Sequence, residues 1–154
     1  MLEVNLSGSF RDAVDGAASI SIEAATIREL LRKLVERYPR MRCAVLEAGS
    51  NWITAWLDRL DHKYQMAPAA YSMKLTPSET FRRQIYVDFW FEFSGVELRH
   101  KIGIDNIMWE SDYPHVTSTY PNSWKWVERV LEGVPKDERE KLLCTNAAKL
   151  YKLQ

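Results

Sequence analysis

Three short stretches, Cys43–Leu46, Ile85–Phe91 and Ile107–Ser111, have strand character, and helical stretches separate each from the next; this alternation constrains the fold more than any other feature of the chain. The first is a continuous apolar run, expected of a strand buried on both faces. The second, Ile85-Tyr-Val-Asp-Phe-Trp-Phe91, is rich in β-branched and aromatic residues. Between them, Asn51 to Gln65 places Trp52, Ile53, Trp56, Leu57 and Leu60 on one helical stripe, and Pro68 to Pro77 reads as a loop. Val96 to Ile102, closed by Gly103, reads as a short helix before the third strand. Pro121-Asn122 opens a helix carrying Trp124, Val127, Val130 and Leu131, and beyond Gly133 and Pro135 a last helix carries Leu142, Leu143, Ala147 and Leu150. Strand and helix in alternation, joined by right-handed crossovers, give an α/β fold with a parallel sheet covered by helices.

The first forty residues follow a different pattern. Leu2, Val4 and Leu6 alternate with polar residues until Ser7-Gly8, Asp15-Gly16 signals a turn, and Ile20 and Ile22 alternate again, as in two antiparallel arms of a hairpin. Thr26 is placed to cap a helix with Glu29 three residues on, and Ile27, Leu30, Leu31, Leu34 and Val35 recur at helical spacing until Pro39. The boundary falls near Tyr38 to Arg42, dividing a hairpin and helix (1–40) from the βα units (41–154).

Composition narrows the function. Lys plus Arg (21) equal Asp plus Glu (21), so bulk charge favours neither nucleic acid nor an acidic membrane surface. Six Trp, seven Tyr and five Phe supply a sizeable core, and the tryptophans are expected within it. No run reaches the roughly 18 apolar residues of a membrane span, and no basic-then-apolar start marks a signal peptide. Cys43 and Cys144 are far apart with no Cys-x-x-Cys, the usage of reduced thiols, so a cytoplasmic setting is expected. At 154 residues the chain is too short for a complete (β/α)₈ barrel.

Leu46-Glu-Ala-Gly49, Trp52, Trp56-Leu-Asp-Arg-Leu-Asp61, Phe81-Arg-Arg-Gln84, Asp105-Asn-Ile-Met-Trp-Glu-Ser-Asp-Tyr-Pro-His115 and Thr145-Asn-Ala-Ala-Lys-Leu-Tyr151 carry a likeness. Together they resemble the C-terminal part of the amidohydrolase-related family, the metal-dependent hydrolases and decarboxylases close to aminocarboxymuconate semialdehyde decarboxylase. The resemblance implies partial TIM-barrel-like βα units, the sixth to eighth of such a barrel. Val4-Asn-Leu-Ser-Gly-Ser-Phe-Arg11, Thr26-Ile-Arg-Glu-Leu-Leu31 and Glu36-Arg-Tyr-Pro39 resemble instead the opening hairpin and helix of β-grasp sulfur-carrier proteins. Such a carrier needs a C-terminal Gly-Gly, whereas this sequence ends Tyr151-Lys-Leu-Gln154, so the segment is expected to be structural.

The amidohydrolase resemblance implies a site. Asp112 stands where that family's aspartate ends the last strand, binds or adjoins the metal and takes a proton from the attacking water. A carboxylate is a hard ligand suited to Zn²⁺, the metal expected here. His115, three residues on, either faces substrate or contacts Asp112, or else orders the turn around Pro114. Glu47 ends the first parallel strand and is read as a ligand, a substrate-orienting group or a carboxylate paired with arginine. His62 and His100 fall in helices, where surface or capping roles are expected, and the His-x-His pair that supplies the family's other ligands is absent from the chain. Arg82, Arg83 and Lys101 are read as solvated, and Lys136 to Lys141 as a helix face. Two function classes remain: metal-dependent hydrolysis or decarboxylation of a small organic acid or amide, with an incomplete site, and a non-catalytic structural or interaction protein. Three βα units leave raw sheet edges, so a homo-oligomer or association with a complementary barrel part is expected.

Overall fold

The computed structural model describes residues 2–5, 11, 13–71 and 73–153. Strand β1 (Leu2–Asn5) pairs antiparallel with β2 (Ser19–Ile22), Leu2 opposite Ile22 and Asn5 opposite Ser19, as the alternation predicts. Leu6 and Ser7-Gly8, where that strand was expected to end, lie outside the described residues. Helix α1 (Ile27–Arg37) begins at Thr26, whose hydroxyl accepts the Glu29 N–H at 3.1 Å, while the Glu29 carboxylate accepts the Ala25 N–H at 2.9 Å. Ile22, Leu34 and Met41 bury their side chains together as a small core for this unit.

The rest of the chain alternates strands with helices. Strand β3 (Cys43–Val45) is followed by α2 (Ile53–Met66), α3 (Pro68–Tyr71) and α4 (Pro77–Gln84), and β4 (Ile85–Phe89) by α5 (Phe93–Glu97) and α6 (Arg99–Ile102). A 3₁₀ turn at Ile104–Asn106 leads into β5 (Ile107–Trp109). Then come α7 (Ser123–Val130), α8 (Lys136–Glu140) and α9 (Asn146–Tyr151), the last two joined through a π-helical stretch, Lys141–Thr145. The three strands form a parallel sheet in the order β3-β4-β5, with Val45 beside Val87 and Val87 beside Ile107. Val87, Phe89 and Ile107 meet Ile53 and Leu57 of α2, Phe81 of α4, Val127 and Val130 of α7, and Leu142 in the main core. Alternate residues point to the opposite face of the sheet, and there the strands carry Tyr86, Asp88 and Met108. This mixed α/β arrangement is that of a partial barrel. No helix of the described residues is long and apolar enough to cross a membrane.

Four expectations need correction. Strand β3 is not buried on both faces: Val45 is 36% and Leu46 49% exposed, because β3 lies at the sheet edge. The stretch read as a loop contains α3, and α4 follows it, opened by a capping box between Thr76 and Glu79 with Pro77 in its first turn. The single helix expected before Gly103 is two, broken at Leu98. Of the tryptophans, Trp90 is buried and Trp109 and Trp126 pack on the core, but Trp52, Trp56 and Trp124 are exposed. Cys43 and Cys144 are both free thiols.

Candidate functional site

The C-terminal ends of parallel strands are where an α/β sheet gathers reactive groups, since the loops leaving them converge there. Glu47 lies just past β3 and Asp112 just past β5, and both adopt a backbone φ of 58°. That left-handed conformation is costly for residues with a Cβ, by about 1 kcal/mol each. The strain turns the chain sharply off the strand end, and neighbouring hydrogen bonds hold it there.

At Glu47 the holding group is Asp88 of β4, a lone carboxylate in an otherwise apolar strand and 1% exposed. Its Oδ2 accepts the Glu47 N–H at 2.6 Å, and its carboxylate also takes the N–H groups of Ala48 and Gly49. Successive backbone N–H groups aimed at one anion form a nest. A second carboxylate, Glu92, joins the next loop: it accepts the Ser50 N–H at 3.3 Å and the Trp90 N–H at 2.8 Å. Glycine suits position 49, where φ is +66° and an added Cβ would stand 2.1 Å from Glu92 Oε1 and displace that carboxylate.

At Asp112 the holding groups are its own loop. The backbone N–H of His115 donates to the Asp112 carbonyl, and Ser118 Oγ and the Thr119 N–H both donate to the Ser111 carbonyl. The Thr117 hydroxyl donates to Asp112 Oδ2, and His115 Nδ1 lies 2.7 Å from Asp112 Oδ1. The Thr117 bond, then the His115 bond and charge, hold the Asp112 carboxyl below the usual carboxylate range, outweighing its shielding from water.

These loops bring the three expected residues together. One ligand atom from each of Glu47, Asp112 and His115 lies within 4.8 Å of the others, and His115 Nδ1 is 3.9 Å from Glu47 Oε2. Asp112 is shielded, its side chain 5% exposed, whereas those of Glu47 (61%) and His115 (57%) face solvent. Two carboxylates and an imidazole are a donor set that fits a hard or borderline divalent cation such as Mn²⁺ or Zn²⁺. His62 is exposed on α2, and His100 Nε2 sits 3.2 Å from Glu138, so neither joins the site.

Beneath the cluster lies a pair that sequence reasoning missed. Burial and the neighbouring Asp88 carboxylate, with Asp112 adding repulsion, push Glu110 up to about 8. Burial also raises Asp88, against the opposing pull of Glu110 and the nest N–H groups. The two carboxyls titrate as a pair, and at neutral pH Glu110 is the one held protonated. The signal was present: an acid inside the apolar run of β4, and a second acid directly after β5.

Solved structures share this fold. An amidohydrolase from Mycobacterium avium subsp. paratuberculosis K-10 is 24% identical, with a TM-score of 0.68 over 79% of this chain and 30% of that one. A 5-carboxyvanillate decarboxylase from Sphingomonas paucimobilis is 22% identical, with a TM-score of 0.65 over 80% and 39%. A dihydroxybenzoic acid decarboxylase from Polaromonas sp. JS666, solved with bound manganese and 2-nitroresorcinol, is 21% identical, with a TM-score of 0.63 over 97% and 48%. This chain therefore spans less than half the length of each. No curated protein matches it significantly. The sequence pattern of the amidohydrolase family matches residues 17–153, from the approach to β2 through α9, and the chain belongs to that family.

Proposed function

We propose that this chain supplies a metal-binding wall of an active site that hydrolyses or decarboxylates a small organic acid or amide. The observation that carries the reading is the convergence of Glu47, Asp112 and His115 within 4.8 Å at the C-terminal ends of two parallel strands. A bound divalent ion would supply Lewis-acid polarisation of a substrate carboxylate or carbonyl. The 5-carboxyvanillate and dihydroxybenzoate decarboxylases sharing the fold favour an aromatic acid as the substrate class, and the manganese bound in one of them supports a divalent ion, for which Mn²⁺ joins the Zn²⁺ expected from the sequence.

The chain's own residues divide the remaining work. Asp112, kept ionised by Thr117, is the shielded carboxylate ligand, and its Oδ1 orients the His115 ring with Nδ1 as donor. That leaves His115 Nε2 with the lone pair by which the ring would hold the ion, its other nitrogen fixed by the carboxylate. Glu47, more exposed, completes the donor set from the opposite loop. The exposure of Glu47 and His115 leaves room for further walls, which we assign to a second copy of this chain or to a polypeptide carrying the preceding barrel units.

Titration calorimetry with MnCl₂ tests the metal centre. Wild type is expected to bind one Mn²⁺, and Asp112→Asn to bind at least about tenfold more weakly. Asparagine tolerates the left-handed backbone at 112, so loss of binding would not reflect misfolding. Equal binding by both proteins would remove Asp112 from the site. The exposed β3 edge favours a second reading, a non-catalytic interaction protein; Mn²⁺ binding without turnover of any carboxylated phenol would select it.

A further inference from the structure

The opposite end of the sheet carries a feature the metal centre does not use. A cavity of about 470 Å³ opens where β3, β4 and β5 begin, between the N-terminal unit and α9. Six cationic side chains and one carboxylate line it, in a chain whose formal charge is zero. The cations come from four places: Arg40 and Arg42 before β3, Arg82 and Arg83 at the end of α4, Lys149 on α9 and Lys152 just beyond it. The carboxylate, Asp105, is bound to Lys141 at 2.8 Å.

Three of the guanidinium groups hydrogen-bond neutral oxygens. Arg42 donates to the Pro39 carbonyl at 2.8 Å, Arg82 to the Lys101 carbonyl at 2.6 Å, and Arg83 to Gln84 Oε1 at 2.6 Å. Among the described residues no carboxylate lies within ion-pair distance of these three. Their geometry is thus fixed while their charge is unanswered, and a concave wall concentrates the field of such charges on an anion. Guanidinium forks match phosphate oxygens two at a time. Arg83 is held further by the Val35 carbonyl, and Gln84 by the Tyr38 and Met41 carbonyls, so the wall is anchored on both sides. Tyr86 and Leu150 add carbon surface. The volume lies within the range of small-molecule sites and exceeds what a free phosphate ion fills.

We infer that this cavity binds the phosphate or diphosphate group of a small organic molecule, at a site separate from the metal centre. Strand β4 spans five residues, which sets the two sites about 15 Å apart along the sheet. Arg82 and Arg83 were expected to be solvated; the fold instead gathers them with side chains that the sequence scatters from Arg40 to Lys152.

The test is calorimetric titration of the full chain with sodium pyrophosphate at fixed ionic strength, without added metal. Saturable 1:1 binding is expected, weakened about tenfold by the double variant Arg42→Gln/Arg82→Gln. Lys149→Gln, which alters only an exposed α9 side chain, should weaken it severalfold and guards against misfolding of the double variant. Lys63→Gln, on the exposed surface of α2, should leave it unchanged. Absence of saturable binding, equal binding by wild type and both cavity variants, or equal weakening by Lys63→Gln would overturn the inference.

Discussion

Glu47 and Asp112 hold a backbone conformation that glycine or asparagine adopts at less cost. Glu47→Gly should therefore gain up to about 1 kcal/mol of stability by chemical denaturation, although an exposed glutamate to glycine change elsewhere usually costs stability. A loss of stability would show that the φ of Glu47 is not the strained one. The Glu110–Asp88 pair gives a pH signature. Folded Glu110 keeps its proton up to about 8, whereas the unfolded chain releases it near 4.5, so the unfolded state binds fewer protons between these values. Stability from this group is full below pH 4.5 and declines as pH rises through that window. The groups facing Glu110 are the Asp88 and Asp112 carboxyls and the Glu47 backbone N–H, and none of them supplies a cation to reverse the sign. Glu110→Gln, which donates a hydrogen bond without titrating, should flatten melting temperature against pH between about pH 5 and pH 9. An unchanged slope would place the shared proton elsewhere. At this scale the placement of Glu47, Asp112 and His115 beyond strand ends was legible from the residues, while their metal-binding role came from the family resemblance. The Asp88–Glu110 pair was not legible, because alternation along a strand shows which face a residue takes but not what carboxyl meets it across the sheet.

Elements are tied down at the base of the sheet by buried amides. Asn146 Nδ2 donates to the Ile104 and Ile107 carbonyls at 2.7 and 2.8 Å, and Asn106 Nδ2 to the Arg82 and Ile85 carbonyls at 2.9 and 2.8 Å. Each amide donates to two backbone oxygens at a strand entry, so Asn146→Ala should cost about 1–3 kcal/mol in chemical denaturation. A cost near zero would mean that water replaces the amide. The hairpin, α1, α2 and the three parallel strands were legible from periodicity and caps. Helix α4 was missed although Thr76 and Glu79 form its capping box, because the prolines at 68 and 77 outweighed that signal. The exposure of β3 was unreadable, since an apolar run records what a strand can be buried against and not whether a neighbour is there. Strand β2 and α1, set apart in sequence by their β-grasp likeness, fall within the stretch that the amidohydrolase family covers.

The whole molecule exposes Val45, Leu46, Trp52, Trp56 and Phe91, which lie at the end of β3, just beyond β4 and around the start of α2. If this face meets a second copy, light scattering after size exclusion should give a mass of at least twice 18.0 kDa, and Leu46→Lys should return the monomer. A wild-type monomer would leave a complementary barrel chain as the proposed source of the missing walls. The central claim is that Glu47, Asp112 and His115 hold a divalent ion together, and crystals soaked in MnCl₂ with diffraction recorded at the manganese absorption edge test it directly. The account predicts one anomalous peak bounded by those three side chains, absent from Asp112→Asn; a peak held by other residues, or none with all three side chains ordered, would contradict it.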